Sequence, residues 1–168
     1  MRNDYFMKPD ITWIQPYYHV LLGYIPLDVN TVLDVGAGYG IFGYIIQKTR
    51  RCTISSIEPF YEDLPHNGVH YKMTWEEWYA GWKKHYDVLV ATELVEHLPP
   101  LEALLFLQQA KEVADRIIIG TPIKFEEQPP YDGNEYQKHL SVISEAQFKE
   151  LGYTTVLYND SILAVWVK

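Results

Sequence analysis

Apolar residues along this chain fall into short blocks of two spacings, and the alternation between them predicts an α/β fold. Val32 to Val35 has the length and β-branched ends of a buried strand, and it opens directly onto glycines at alternate positions, Gly36, Gly38 and Gly40. From Ile41 to Thr49 the spacing lengthens. Ile41, Ile45 and Ile46 predict one buried helix face, and Lys48, Arg50 and Arg51 stand at the end where cations complement the helix dipole. Cys52 to Ile57, Val69 to Met73, Tyr86 to Ala91 and Arg116 to Gly120 are further strand-like runs, the last holding three consecutive isoleucines, as a parallel strand buried on both faces does. Thr74-Trp75-Glu76-Glu77 is a capping box that opens a helix carrying Trp75, Trp78, Tyr79 and Trp82. Leu101, Leu104, Leu105 and Gln108 continue an amphipathic helix begun by Pro99-Pro100. Ser144-Glu145-Ala146-Gln147 is a second capping box, and its helix stops at Gly152. Tyr153 to Tyr158 and Ile162 to Val167, separated by Asn159-Asp160-Ser161, predict a hairpin.

Two stretches break this rhythm. Residues 1–29 are rich in aromatics and contain Pro9, Pro16 and Pro26; a short helix from Tyr17 to Tyr24, ended by Pro26, predicts a cap segment lying over the glycines. Ile123 to Lys138 is long and irregular, with Pro129-Pro130 and Asp132-Gly133-Asn134, and loops of that length are usually functional. A substrate lid over 122–138 is expected, with Phe125, Glu126, Glu127, Tyr131 and Tyr136 as its candidate contacts.

Length and composition narrow the class. At 168 residues the chain fits one domain spanning 1–168, able to bury about 70% of its unfolded surface. A net charge of -8 disfavours long nucleic acids as partners. The single cysteine, Cys52, can form no internal disulfide and provides no metal cluster, so a cytoplasmic setting and no metal are expected. No apolar run is long enough to span a membrane, and no leader pattern opens the chain.

The chemistry is concentrated after the first strand. Glycines there let the backbone approach a ligand, and a new helix presents unpaired amides. A dinucleotide fingerprint would place a small residue where Ile41 stands, and Asp34 would repel a diphosphate; a P-loop would need Gly-Lys-Ser/Thr. A carboxylate beside open amides suits a ligand bearing both an ammonium and a carboxylate. Glu58 follows the glycines by about twenty residues, the separation at which an acidic residue meets ribose hydroxyls.

Asp34 with Gly36-Ala37-Gly38-Tyr39-Gly40, and the segment Thr92-Glu93-Leu94-Val95-Glu96-His97-Leu98-Pro99, resemble the first and fourth motifs of the class I S-adenosylmethionine-dependent methyltransferases, the small single-domain ubiquinone/menaquinone type. The resemblance runs from Asn30 to Lys168. It implies a Rossmann-like, doubly wound sheet of seven strands, mostly parallel with an antiparallel C-terminal hairpin and helices on both faces. It also implies S-adenosylmethionine as cofactor, S-adenosylhomocysteine as product, and Asp34, Gly36, Ala37, Gly38, Gly40, Glu58, Pro59, Met73, Thr74, Thr92 and Glu93 as its contacts. The family's acidic or amide residue near the adenine is absent; Lys72, Met73 and Thr74 stand there, so Met73 or Trp75 is expected against the base. Glu93 and His97 would share a face if their segment coils. His97 is a candidate proton acceptor, or a ring that hydrogen-bonds a backbone carbonyl instead; His139 is a second candidate base. Tyr17, Tyr18, His19, Phe125, Tyr131, Tyr136 and His139 are the expected acceptor contacts. The acceptor is expected to be a small molecule or a short protein segment, with the oligomeric state left open. A non-catalytic partner subunit and a nicotinamide-dependent oxidoreductase are the rival classes.

Overall fold

A computed structural model describes residues 14–81, 84–131 and 133–168. Pro9, Trp82 and Asp132 lie outside these. Seven strands form one sheet in the order β3-β2-β1-β4-β5-β7-β6: β1 Thr31–Val35, β2 Thr53–Ile57, β3 His70–Tyr71, β4 Tyr86–Thr92, β5 Ala114–Pro122, β6 Thr154–Tyr158 and β7 Ser161–Val167. Pairings from β3 through β5 are parallel, while β7 runs antiparallel to both β5 and β6. Chain order reverses between β1 and β4, and ligands of open α/β sheets sit beyond the carboxyl ends of the strands at such a point.

Alternation along the central strands sends neighbours into two separate cores. Leu33, Leu89, Ile117 and Ile119 face a layer built with Trp75, Trp78, Phe106 and Phe148. Val32, Val88, Val90 and Ile118 face Leu21, Phe42 and Ile46 on the opposite side. The first layer comes from α3 Trp75–Gly81, α4 Pro100–Val113 and α5 Glu145–Glu150; the second from α1 Tyr18–Tyr24 and α2 Ile41–Arg50. Both capping boxes form. Glu77 accepts from the Thr74 amide at 2.9 Å, and Ser144 and Gln147 cap each other.

The structure corrects several expectations. The third strand is only two residues long, and Val69 is exposed, because this edge strand pairs on one side alone. On α4 the buried stripe is Ala103, Phe106, Leu107, Ala110 and Val113, leaving Leu101 and Leu105 exposed. On α2 Phe42 and Gly43 are buried while Ile45 is half-buried. Arg50 turns away from its own helix end: its guanidinium donates to the Leu22 and Ile25 carbonyls, and Arg116 donates to Tyr24 at 2.7 Å. Two cations thus close the C-terminal end of α1, where they complement its dipole and seat the cap segment on the sheet.

Candidate functional site

The glycine loop begins at the end of β1, and its three alternate glycines all adopt left-handed φ, at 68°, 53° and 72°. The last, Gly40, ends the turn as the N-cap of α2. A fourth glycine has a packing role that the motif comparison missed. A Cβ on Gly43 would stand 2.8 Å from Asp34 Oδ2 and 3.0 Å from Ile54, so only glycine lets α2 lie this close to the sheet. The Gly43 amide donates to Asp34 Oδ2 at 3.1 Å. A small residue two places beyond Ile41 was the available signal.

Most of the loop amides are not free, contrary to the expectation of an open cradle. Gly36 and Ala37 donate to the Ile57 carbonyl, Gly40 to that of Ala37, and Gly38 to Glu58 at 2.9 Å. Glu58 also accepts from the Phe60 and Tyr61 amides at 2.8 and 3.3 Å. With about four lone-pair positions on a carboxylate, three are spent on backbone. Glu58 thus fastens the loop to the turn after β2 first, and has little capacity left for a sugar.

Two adjoining cavities open above this loop. The larger, about 330 Å³, is lined by Val35, Glu58, Pro59, Thr74, Trp75 and Leu94 among others; Met73 packs into the core instead. The smaller, about 180 Å³, is lined by Tyr18, Asp34, Ala37, Gly38, Thr92 and His139 among others. Gly36, Glu93, His97 and Gln137 border both. A Cβ on Gly36 would stand 2.8 Å from Leu94 Cδ1, so the junction depends on a missing side chain.

Expected acceptor contacts divide by position. Tyr18 faces the smaller cavity and Tyr136 the larger. Tyr17 is buried at 1% exposure, covers Gly120 and donates its hydroxyl to Glu93, which places it behind the site as a brace. His19 packs edge-on against Tyr158. Phe125 and Tyr131 are exposed and line neither cavity. The lid is folded by a bridge between Tyr131 and Asn134, a left-handed Gly133 and a short 3-10 turn at Glu135–Gln137, so Gln128, Gln137 and Tyr136 face inward instead. The sequence offered no signal for those two glutamines.

Glu93 and His97 meet without a regular helical turn. Glu93 has φ of 53°, and a 3-10 turn follows at Val95–His97. His97 bonds the Lys138 carbonyl through Nδ1 at 3.0 Å, the carbonyl-bound alternative of the sequence reading. Burial brings its pKa down to about 4, the Lys138 carbonyl opposing that shift and His139 adding to it. His97 is therefore neutral across the physiological range and a weak base.

Carboxyl groups on this side are shifted the other way. Burial pushes Asp34 up to about 7, with the Gly43 amide opposing and the Glu58 charge adding. Burial likewise raises Glu58, Glu93 and Glu96, the last most strongly because it is fully buried, with the Glu93 charge beside it adding to the shift. Perturbed groups gathered at one cleft mark a functional site.

A family model described as a methyltransferase domain matches residues 14–153. The chain belongs to the methyltransferase-domain family. No curated protein matches the sequence. Among solved structures, similarity extends to an O-methyltransferase family protein from Burkholderia thailandensis, at 12% identity and a TM-score of 0.67, covering 92% of this chain and 55% of that one. A S-adenosylmethionine-dependent methyltransferase from Archaeoglobus fulgidus gives 15% and 0.64, covering 90% of this chain and 92% of that one. Magnesium protoporphyrin IX methyltransferase from Synechocystis PCC 6803, solved with bound S-adenosylmethionine, gives 15% and 0.59, with 90% and 76% covered. These likenesses show the fold: a methyltransferase-type sheet with its antiparallel closing hairpin. No helix among the described residues is long and apolar enough to cross a membrane.

Proposed function

We propose that this methyltransferase-domain chain uses S-adenosylmethionine to methylate a small acceptor. The observation that carries this reading is the pair of cavities joined over Gly36. The larger has an apolar wall from Trp75, Leu94 and Leu98 that suits a purine, with Glu58 at its edge. The smaller ends at Asp34, an acceptor for an ammonium. A nucleoside joined to an amino-acid tail spans both, which puts its sulfonium at the shared border beside Glu93 and His97.

In-line displacement needs the acceptor atom held opposite the leaving sulfur, and orientation of that kind supplies about 7–11 kcal/mol. Tyr18, Gln128, Gln137 and His139 line the side from which an acceptor would enter. The net charge of -8 and the small size of this opening favour a small molecule or a short peptide over nucleic acid. Calorimetry with S-adenosylhomocysteine, followed by methyl transfer across an acceptor panel, tests the reading. Saturable binding is expected with release of the same product on turnover; binding without transfer to any acceptor would leave a partner subunit, and no binding would end the proposal.

Donor binding should also depend on pH in a set direction. With Asp34 protonated below about 7 in the free protein, association with an ammonium must first expel that proton. Affinity should therefore climb by up to about tenfold per pH unit toward 7 and level off there. It should decline above about 8, where the ligand's α-amino group loses its charge. Calorimetry at a series of pH values checks this, and a flat profile below pH 7 contradicts the ammonium role of Asp34. The same raised value means that the free fold loses stability as pH rises from the ordinary carboxyl range toward 7, since the folded form there holds the extra proton.

A further inference from the structure

Glu96, His97 and His139 converge beside the shared border of the two cavities, with one ligand-type atom of each within 4.8 Å of the others. Glu96 is only 2% exposed. Its Oε2 accepts the Thr121 hydroxyl at 2.9 Å, while Oε1 is shut from solvent and the Glu93 carboxyl stands beside Glu96. Two carboxyl groups side by side out of solvent are costly unless a proton or a cation is shared between them.

Each imidazole is oriented by a backbone carbonyl at Nδ1. His97 Nδ1 lies 3.0 Å from the Lys138 carbonyl and His139 Nδ1 lies 2.7 Å from the Glu126 carbonyl. A carbonyl only accepts, so each Nδ1 carries a hydrogen, and in the neutral ring the lone pair is then on Nε2. This is the second-sphere arrangement that orients metal-binding histidines. Their ring centroids are 4.9 Å apart. Ligand atoms about 2.0–2.2 Å from a common zinc ion stand about 3.3–3.6 Å from one another, so small side-chain rotations would close the set.

We propose that Glu96, His97 and His139 hold a divalent transition-metal cation of the zinc, cobalt or manganese type, facing the acceptor side of the site. Two imidazoles with a carboxylate select such ions over magnesium or calcium, which prefer oxygen. Glu93, beside Glu96 and bordering both cavities, is a further oxygen donor. Resting on the methyltransferase reading, the ion assigns the acceptor class: an alcohol or phenol oxygen that binds the open coordination position. There the hydroxyl releases its proton to water, the oxygen forms its bond to the methyl carbon, and the carbon–sulfur bond breaks with its electron pair going to sulfur.

Full-length protein stripped by chelator and titrated with Co²⁺, followed by its absorption bands and by calorimetry, tests the site. One equivalent should bind, and both His97→Ala and His139→Ala should weaken it at least tenfold. His139 is only partly buried, so its variant guards against a folding defect that Glu96→Gln could bring. The absence of saturable Co²⁺ binding, equal binding in both histidine variants, or a preference for Mg²⁺ over Co²⁺ would overturn the proposal. S-adenosylhomocysteine titrated into the same stripped protein separates the two readings: nucleoside binding without Co²⁺ binding rejects the metal site alone, and the reverse rejects the donor assignment alone.

Discussion

Asp34→Asn should weaken S-adenosylhomocysteine binding by about a hundredfold while the chain stays folded. The asparagine oxygen can still accept the Gly43 amide that Asp34 Oδ2 takes at 3.1 Å, so the join between β1 and α2 survives. What disappears is the charge facing the ammonium, and removing one member of a buried, hydrogen-bonded charge pair costs about 2–5 kcal/mol, or roughly two decades in affinity toward the lower end of that range. Because burial already raises the Asp34 carboxyl to about 7, the free variant should be no less stable than the parent at neutral pH. Calorimetry beside thermal unfolding checks both halves. Affinity within about threefold of the parent would remove Asp34 from the ammonium role and leave it a helix-to-sheet brace.

That dual role shows where sequence reading reaches its limit. The strand, the three alternate glycines and the acidic residue ahead of them were legible because each is a local feature of spacing. So were the two capping boxes and the closing hairpin, whose turn places Asn159 at a left-handed φ of 51°. The amides of Gly36, Ala37 and Gly38 were not legible, because their acceptors, the Ile57 carbonyl and the Glu58 carboxylate, come from the end of β2 and the turn after it. Long-range pairings of this kind leave no periodicity. Tyr17 meets Glu93 across 76 positions, and His97 meets Lys138 across 41.

Helix α4 failed for a different reason. Its apolar residues suffice for two stripes, one through Leu101 and Leu105 and one through Ala103, Phe106, Leu107 and Ala110, and only the sheet decides which is buried. The small alanines win because they let the helix approach β4 and β5 closely, while Phe106 fills the space beside Trp75 with ring centroids 5.0 Å apart. Leucine count pointed to the wrong face. Within the lid the same bias favoured Phe125 and Tyr131 as contacts, whereas the local turn at Gly133 brings glutamines to the cavity.

Gly68→Ala is expected to be the most destabilising single methyl addition in the chain. In sequence, Asn67-Gly68 reads as an ordinary turn pair, and here its value lies in contact rather than conformation. A Cβ at Gly68 would fall 1.8 Å from the Ile54 carbonyl oxygen and 2.4 Å from its carbon, both backbone atoms of β2. No side-chain rotation can relieve that overlap, so either β2 or the segment leading into β3 must move. β2 pairs with β1 over five residues and supplies Ile57 and Glu58 to the glycine loop, so the lesser damage is to detach the edge. The Asn67 side chain, which takes the Ile54 amide at 3.3 Å, would be lost with it. Overpacking against immovable backbone should cost about 3 kcal/mol or more, a fall of about 6–12 °C in Tm for a domain of this size. Gly23→Ala provides the contrast: it lies within α1 with nothing within 4 Å of an added Cβ, and should be neutral or stabilising by about 0.5–1 kcal/mol. Thermal unfolding of the two variants beside the parent decides it, and a Gly68→Ala chain melting within about 2 °C of the parent would show that the edge of the sheet yields far more readily than its packing implies.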